Sequence, residues 1–157
     1  MASPLTYEQA LEKLKHYCDY QPRCHAEVKT KMYALGIWKK EQDQLLTQLI
    51  EEGYVDEEAF AIAYARGKNR SLYWGKNKII YHLKQKQISP YCISKALKLL
   101  DDSDYREGLE KLARKKRKLL ADKDKANGSF LLHQYLMQYG YDSEEIKKYI
   151  QDCEADI

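Results

Sequence analysis

The sequence predicts an all-α protein built from three tandem three-helix repeats that form an elongated, curved helical array. Three observations support this fold class. The 157 residues include only seven Gly and three Pro, so helix breakers are sparse. No segment shows the apolar–polar alternation of a β-strand. One amphipathic helical pattern recurs three times, which predicts repeats at residues 4–54, 55–102 and 103–157.

The recurring pattern marks the second helix of each repeat. It runs EVKTKMYALGI (27–37), NKIIYHLKQKQI (77–88) and FLLHQYLMQYGY (130–141). The same apolar spacing occurs in all three: Val28, Met32 and Ile37; Ile79, Leu83 and Ile88; Leu132, Leu136 and Tyr141. Gly36 and Gly140 stand where a left-handed C-terminal cap would fall, so each helix is expected to end in a turn that folds an apolar residue back onto it.

The first helix of each repeat is indicated by its start and its apolar positions. Thr6, with Gln9 three residues later, predicts a capping box, and Asp56 predicts the cap of the second repeat. The third repeat begins with a long helix to about Leu120, followed by a polar hinge, ADKDKANGS (121–129). These helices are expected to bury Tyr7, Leu11 and Leu14; Phe60, Ala63 and Tyr64; Tyr105, Leu109 and Leu112.

The third helix of each repeat closes the unit. In the second repeat it begins at Ser89-Pro90, a cap followed by proline at the first helical position. In the third repeat it begins at Asp142, with Glu145 at capping-box spacing. The apolar residues of this helix are Leu45, Leu46, Leu49 and Ile50 in the first repeat, Ile93, Leu97 and Leu100 in the second, and Ile146 and Ile150 in the third.

Charge is distributed unevenly along the chain. The net charge is +3, yet the 42 residues from 59 to 100 contain no acid and carry +9, which leaves −6 for the rest. The cations are Arg66, Lys68, Arg70, Lys76, Lys78, Lys84, Lys86, Lys95 and Lys98. Such a segment favours an anionic partner, either a phosphate backbone or an acidic protein surface. The alternative is an ordinary solvated helix face.

Three features of the sequence predict the cellular compartment of the protein. No apolar run approaches the roughly 20 residues of a membrane span. The start, MASPLTYEQALEKL, becomes amphipathic and charged within ten residues, unlike a signal peptide. The four cysteines are scattered, which is typical of reduced thiols. We therefore expect a cytoplasmic protein with no membrane partner.

The stretch GYVDEEAFAIAYARGKNR (53–70) resembles the mark of the RecX family. That mark is a glycine-aromatic pair, an acidic helix start, Phe-Ala, an aromatic one turn later, and then basic residues. Gly75 followed by Ile79 or Ile80, Leu83 and Ile88 is similar to the family's spacing in the next helix.

The resemblance is weaker towards both ends of the chain. Residues 10–35 resemble the first repeat of the family, although Cys24 stands where the family usually has serine. Residues 103–157 match only by pattern. The resemblance implies tandem three-helix repeats and a regulatory protein that binds RecA and lies along the groove of its filament on DNA. It further implies restraint of filament growth, ATP hydrolysis, strand exchange and the coprotease activity that drives the SOS response, without catalysis.

The basic second repeat is the leading candidate for the binding surface, with only weak, nonspecific affinity expected for free DNA. Arginine and lysine would meet phosphates, while an exposed aromatic stacks on a base or packs on a partner. Gly67 and Gly75 are expected to bracket an adaptable loop, and burial of Trp74 between repeats is the alternative. A second basic run, 114–118, either extends this surface or is solvated. The predicted contact residues are Arg66, Lys68, Arg70, Tyr73, Trp74, Lys76, Lys78, Lys84, Arg114, Lys115, Arg117 and Lys118.

Other functions find less support in the sequence. A metal-dependent nuclease would need carboxylates that converge from separate elements, and Asp101, Asp102 and Asp104 are better explained as linker and cap residues. A zinc site at His16, Cys18, Cys24 and His25 lacks the spacing of a finger or ribbon. We therefore expect no enzyme activity, no cofactor, no metal and no small-molecule substrate. A stand-alone helical DNA-binding module remains the alternative function.

Overall fold

A computed structural model describes residues 5–120 and 127–155 of the chain. Within those ranges it contains nine α-helices and no strand, so the predicted all-α fold is confirmed. Residues 121–126 of the predicted polar hinge lie outside the described residues, whereas Gly128 and Ser129 already belong to a helix. The helices are α1 (Tyr7–Tyr20), α2 (His25–Ala34), α3 (Lys39–Glu51), α4 (Glu57–Leu72), α5 (Lys76–Gln85), α6 (Pro90–Lys98), α7 (Asp102–Leu120), α8 (Gly128–Gln138) and α9 (Ser143–Ala155).

The ends of α2, α5 and α8 have one common geometry. In each, the amide of a buried apolar residue donates to a carbonyl five residues earlier: Ile37 to Met32 (3.1 Å), Ile88 to Leu83 (3.1 Å) and Tyr141 to Leu136 (3.2 Å). The preceding residue is left-handed in every case: Gly36 (φ 72°), Gln87 (φ 62°) and Gly140 (φ 100°). The nine aligned apolar residues are all buried. The repeated helix end that the apolar spacing predicts is therefore present in α2, α5 and α8.

The predicted helix starts are largely confirmed. Thr6 and Gln9 form a capping box, and Asp56 accepts a hydrogen bond from the Ala59 amide. Ser89 accepts one from the Cys92 amide at 3.3 Å. The corresponding position of the first repeat is Trp38, which makes no side-chain capping bond.

The buried side chains form two apolar clusters. One lies within α1–α3 and is closed by Val55. The other is continuous across α4–α9, so the second and third helix groups share one core. The predicted burial of Ala63 is wrong, because Ala61 and Ala65 face the core and Ala63 is exposed. We propose the predicted boundaries, 4–54, 55–102 and 103–157, as three modules, each holding one group of three helices.

The second and third modules are joined by the backbone at the start of α5. The Gly75 amide donates to the Tyr139 carbonyl at 2.7 Å, and the Asn77 amide donates to the Gly140 carbonyl at 2.9 Å. The Lys76 amide donates to the Tyr105 hydroxyl at 2.8 Å. Free amides at the start of one helix thus meet free carbonyls at the end of another. This joint fixes the position of the basic helix α5.

The first module meets the second through the start of α2. Cys24 is fully buried, and it belongs to the cluster of the later modules rather than to that of α1–α3. His25 Nδ1 lies 3.2 Å from a carboxylate oxygen of Glu57. Lys86 forms an ion pair with Glu27 at 3.5 Å. One buried thiol and two polar contacts therefore align the first module on the basic one.

Candidate partner-binding surface

The structure places the twelve predicted contact residues on three helices and one turn. Arg66, Lys68 and Arg70 lie on α4; Tyr73 and Trp74 lie in the α4–α5 turn; Lys76, Lys78 and Lys84 lie on α5; Arg114, Lys115, Arg117 and Lys118 lie on α7. The predicted loop between Gly67 and Gly75 is wrong. Helix α4 continues through Gly67 to Leu72, because an exposed glycine weakens a helix by only about 1 kcal/mol and does not end it. The connection is a tight turn of three residues, 73–75.

Trp74 is the central residue of the turn, and lysine side chains from both flanking helices lie over its ring. Its ring stacks on the His82 ring, with centroids 4.6 Å apart. The ammonium nitrogens of Lys68 (α4) and Lys78 (α5) lie 5.2 Å and 4.7 Å from the ring centroid. Tyr64 packs edge-on at 6.5 Å. We call Tyr64, Lys68, Trp74, Lys78 and His82 the Trp74 cluster.

Local structure explains why the cluster holds its shape. The side-chain amide of Asn69 donates to the Trp74 carbonyl at 2.9 Å, and Asn69 is the buried polar side chain of the described core. Tyr73 adopts a left-handed conformation with φ 58° and ends α4. Its carbonyl accepts a hydrogen bond of 2.7 Å from the Tyr141 hydroxyl. The predicted contact residue Tyr73 therefore has a structural role in the turn.

Trp74 itself lies between the two sequence-based interpretations. It is partly exposed and packs against the continuous core of α4–α9. His82 covers its ring, so it is less available for stacking on a base than a free surface tryptophan would be. The arrangement instead holds two ammonium groups by cation–π attraction, which contributes about 0.5–1 kcal/mol per pair at exposed sites.

Most cations of the second module have no acid partner. Among the nine cations of residues 59–100, ion pairs with described carboxylates involve Lys86, with Glu27 at 3.5 Å, and Lys95, with Glu58 at 2.7 Å. Neither lysine is among the twelve predicted contacts. The remaining seven lie farther than 4.0 Å from every carboxylate oxygen in residues 5–120 and 127–153. We call these seven the unpaired cations: Arg66, Lys68, Arg70, Lys76, Lys78, Lys84 and Lys98.

Two pKa shifts report the local electrostatics. Burial, and then the charges of Lys78, Lys68 and Lys86, lower the pKa of His82 below its usual range, because each disfavours the imidazolium. Burial raises the pKa of Glu145 on α9, and the Lys76 ammonium opposes that rise. Lys76 thus faces a third-module carboxylate, whereas positive charge accumulates around His82.

The second basic run is spread around α7. Lys116 lies over the Tyr135 ring of α8 at 4.8 Å, and Arg117 lies over the Tyr149 ring of α9 at 5.3 Å. Arg114 is 3.8 Å from Glu110 on its own helix. The predicted residues Arg114, Lys115, Arg117 and Lys118 are exposed. Consecutive cations point in different directions on a helix, and here two of the five lie over aromatic rings of the same module.

Sequence reasoning missed three residues here: His82 and Tyr64, which belong to the Trp74 cluster, and Asn69, which supports it. Two of them carried a signal. Tyr64 precedes Lys68 by four residues and Lys78 precedes His82 by four, the spacing at which side chains meet on a helix. Asn69 gave no such signal, since its partner is a backbone carbonyl across the turn.

The other sequence candidates have structural explanations. Asp101 accepts a hydrogen bond of 2.9 Å from the Asp104 amide at the start of α7. Cys18 and Cys24 are buried in different apolar clusters. In the described ranges no three His, Cys, Asp or Glu side chains are grouped as metal ligands would be. No helix there combines the length and apolar character needed to cross a bilayer.

Comparison with known proteins places these features in a family. Residues 56–97, which include α4, α5 and most of α6, match the family model described as RecX, second three-helix domain. The chain is 32% identical over 123 residues to the regulatory protein RecX of Clostridium tetani, covering 77% of this chain and 56% of that protein. It is 29% identical over 109 residues to the regulatory protein RecX of Mycolicibacterium smegmatis, covering 69% and 58%. The chain thus spans little more than half the length of these curated relatives.

Solved structures share the fold. The crystal structure of RecX from Lactobacillus salivarius aligns with a TM-score of 0.84 at 23% identity, over 95% of this chain and 97% of that one. A second crystal structure of regulatory protein RecX aligns with a TM-score of 0.85 at 23% identity, over 93% and 73%. The domain match covers the helices that carry the Trp74 cluster, and the relatives agree with it along most of the chain: the protein belongs to the RecX family of regulatory proteins.

Proposed function

We propose that this protein binds RecA and its filament on DNA in the cytoplasm. There it restrains ATP hydrolysis, strand exchange and coprotease activity, and so moderates DNA repair and the SOS response. It acts by binding rather than by catalysis. Family membership supports the choice of partner. The observation that carries the proposal is the set of unpaired cations on the second module, seven positive side chains with no described carboxylate within 4.0 Å.

An unpaired cationic surface favours an anionic partner for a physical reason. Charges already paired within the protein would have to lose those partners on binding, which offsets much of the gain. Apart from Lys76, which faces Glu145, the unpaired cations do not carry that cost. Two of them, Lys68 and Lys78, are held over Trp74 by helices anchored to the third module, so little side-chain freedom is lost when they meet phosphates or acidic groups.

The proposal is tested by inhibition of RecA. One variant replaces Arg66, Lys68, Arg70 and Lys78 by Ala. The matched control replaces four exposed cations of the first module by Ala, which changes the net charge equally: Lys13, Lys29, Lys39 and Lys40. We measure RecA ATP hydrolysis on single-stranded DNA and co-sedimentation with filaments, with circular dichroism to verify folding.

We expect the first variant to need at least about tenfold more protein for half-inhibition, while the control stays within about twofold of wild type. Equal loss in both variants would mean that net charge, not this surface, governs binding. Absence of any inhibition by the wild-type protein would reject the proposed function.

A stand-alone DNA-binding module is the second candidate, favoured by the same unpaired cations. Such a protein would bind a duplex without RecA and select a sequence. Anisotropy with labelled duplexes of different sequence distinguishes the two functions. Tight, selective binding supports the second candidate, and weak, salt-sensitive binding without selection supports the first.

A further inference from the structure

The Trp74 cluster has more positive charge than the chain itself balances. Three ammonium groups, those of Lys68, Lys78 and Lys86, are close enough to His82 to disfavour its protonation. Lys86 has a carboxylate partner in Glu27, whereas Lys68 and Lys78 have none in the described part of the chain. The Tyr81 ring packs edge-on against His82, with ring centroids 5.4 Å apart. The cluster is therefore electrostatically incomplete, and an anion would complete it.

The chemistry of the cations indicates which anion fits. Both groups over the Trp74 ring are lysines, and they come from different helices. The planar fork of arginine matches carboxylate and phosphate alike, whereas a lysine ammonium acts as a point charge that can meet a phosphate oxygen from any direction. Arg66 and Arg70 are exposed elsewhere on α4 and make no ring contact in the described structure. Two point charges from separate helices therefore suit a phosphodiester backbone, whose negative charge repeats along the strand, and competition by poly-glutamate tests this choice against a run of carboxylates.

The role of Trp74 follows from its neighbours. His82 lies against the ring, and Tyr64 meets its edge. The ring therefore orients the lysines, and base identity is not read here. Recognition through phosphates alone suits a partner of any sequence.

We propose that the Trp74 cluster binds the phosphodiester backbone of single-stranded DNA through Lys68 and Lys78, and that His82 takes up a proton from solvent as the phosphate binds. This inference deepens the proposed function and rests on it, since it assigns the DNA of the filament, rather than RecA itself, to this part of the surface.

Proton uptake follows from the charges around His82. In the free protein these are Lys68 from α4 and Lys78 and Lys86 from α5, and Lys86 is itself paired with Glu27 of α2. A bound phosphate cancels part of the positive field and so raises the His82 pKa. The bound state then holds more protons than the free state, and linkage makes binding tighter as the pH falls through this window. The gain is limited to about tenfold per pH unit for one proton.

The test uses the full chain and a labelled oligo-dT without RecA. Affinity is measured by anisotropy between pH 5.5 and 8 and over a range of salt concentrations. We compare wild type, Lys68→Gln/Lys78→Gln, His82→Gln and the charge-matched control Lys29→Gln/Lys39→Gln. Replacing Trp38, the other of the two tryptophans, by Phe makes Trp74 fluorescence a direct report from the cluster.

The lysine double variant should bind more weakly and lose about 1.4 from the log–log salt slope, since each phosphate contact on a single strand contributes about 0.7. The control should keep the salt slope of wild type. Wild-type binding should tighten several-fold from pH 7.5 to 6, and His82→Gln should not. Histidine NMR should show a higher His82 pKa with the oligonucleotide than without it, a readout independent of how any variant folds.

Three outcomes would overturn the inference: an unchanged salt slope in the lysine double variant, an unchanged His82 pKa on DNA binding, or stronger competition by poly-glutamate than by oligo-dT. RecA ATPase inhibition by the same variants forms a separate arm. If the lysine double variant binds oligo-dT as tightly as wild type and RecA is still inhibited, the inference fails and the proposed function stands. If wild type inhibits nothing, the proposed function fails.

Discussion

The backbone amide of Gly75 donates a hydrogen bond of 2.7 Å to the carbonyl of Tyr139, so the start of α5 is in direct contact with the end of α8. No side chain fits between them, because a Cβ on Gly75 would overlap the backbone of Gly140. Glycine is required here by close approach and not by its own φ, which is −78°. The contact couples the basic module to the third module.

Gly75→Ala should therefore destabilise the protein by about 1–3 kcal/mol, as overpacking against backbone does. Gly67→Ala is the matched comparison, since Gly67 lies inside α4 with open space around its Cα. It should stabilise by about 0.5–1 kcal/mol through helix propensity. Urea unfolding measures both changes. A neutral result for Gly75→Ala would show that the two helix ends separate readily.

Trp38 occupies a helix start that its equivalent in the second module, Ser89, caps. Ser89 accepts an amide hydrogen bond at the same place in the second module, whereas Trp38 makes none and is 65% exposed. Trp38→Ser should raise the free energy of unfolding by about 1 kcal/mol, and Ser89→Ala should lower it by a similar amount. Thermal or urea unfolding of the two variants tests this. Destabilisation by Trp38→Ser would indicate that the indole contributes packing that its exposure does not suggest.

Tyr141 stabilises the turn that presents Trp74. Its buried hydroxyl donates to the carbonyl of Tyr73, a residue held at positive φ. Tyr141→Phe removes this donor and should cost about 1–3 kcal/mol, because the Tyr73 carbonyl loses its partner. Tyr33→Phe is the control, since Tyr33 is 82% exposed and its substitution should leave the free energy of unfolding unchanged. Equal stability of the two variants in urea would contradict this role.

The four cysteines should differ in reactivity. Cys18 and Cys24 are buried, and burial raises the pKa of both thiols, so less thiolate is present at pH 8. Cys92 and Cys153 are partly exposed. Iodoacetamide should modify the exposed pair at least roughly tenfold faster than the buried pair, as followed by peptide mass spectrometry. Early modification of Cys24 would indicate that the first and second modules separate in solution.

Signals that act within a few residues were recovered well from the sequence. The Thr6 capping box, the Asp56 and Ser89 caps and the left-handed Gly36 and Gly140 all depend on neighbouring residues alone. The repeat was visible because buried positions recur at fixed spacing. Errors arose where one residue type has two uses. Gly67 suggested a loop yet lies in a helix, and Ala63 suggested the core yet faces solvent.

By itself the sequence determined the helical architecture, the three repeats and the accumulation of positive charge in the middle one, because periodicity, capping and composition are local properties of the chain. Only the tertiary structure decided which cations lack an ion-pair partner and which of them lie close together in space. It pairs Lys86 with Glu27 and Lys95 with Glu58, acids that lie on other helices. It also brings Lys68 and Lys78 together over the Trp74 ring. Coulomb interactions depend on distance in space, and that distance is set by helix packing rather than by position along the chain.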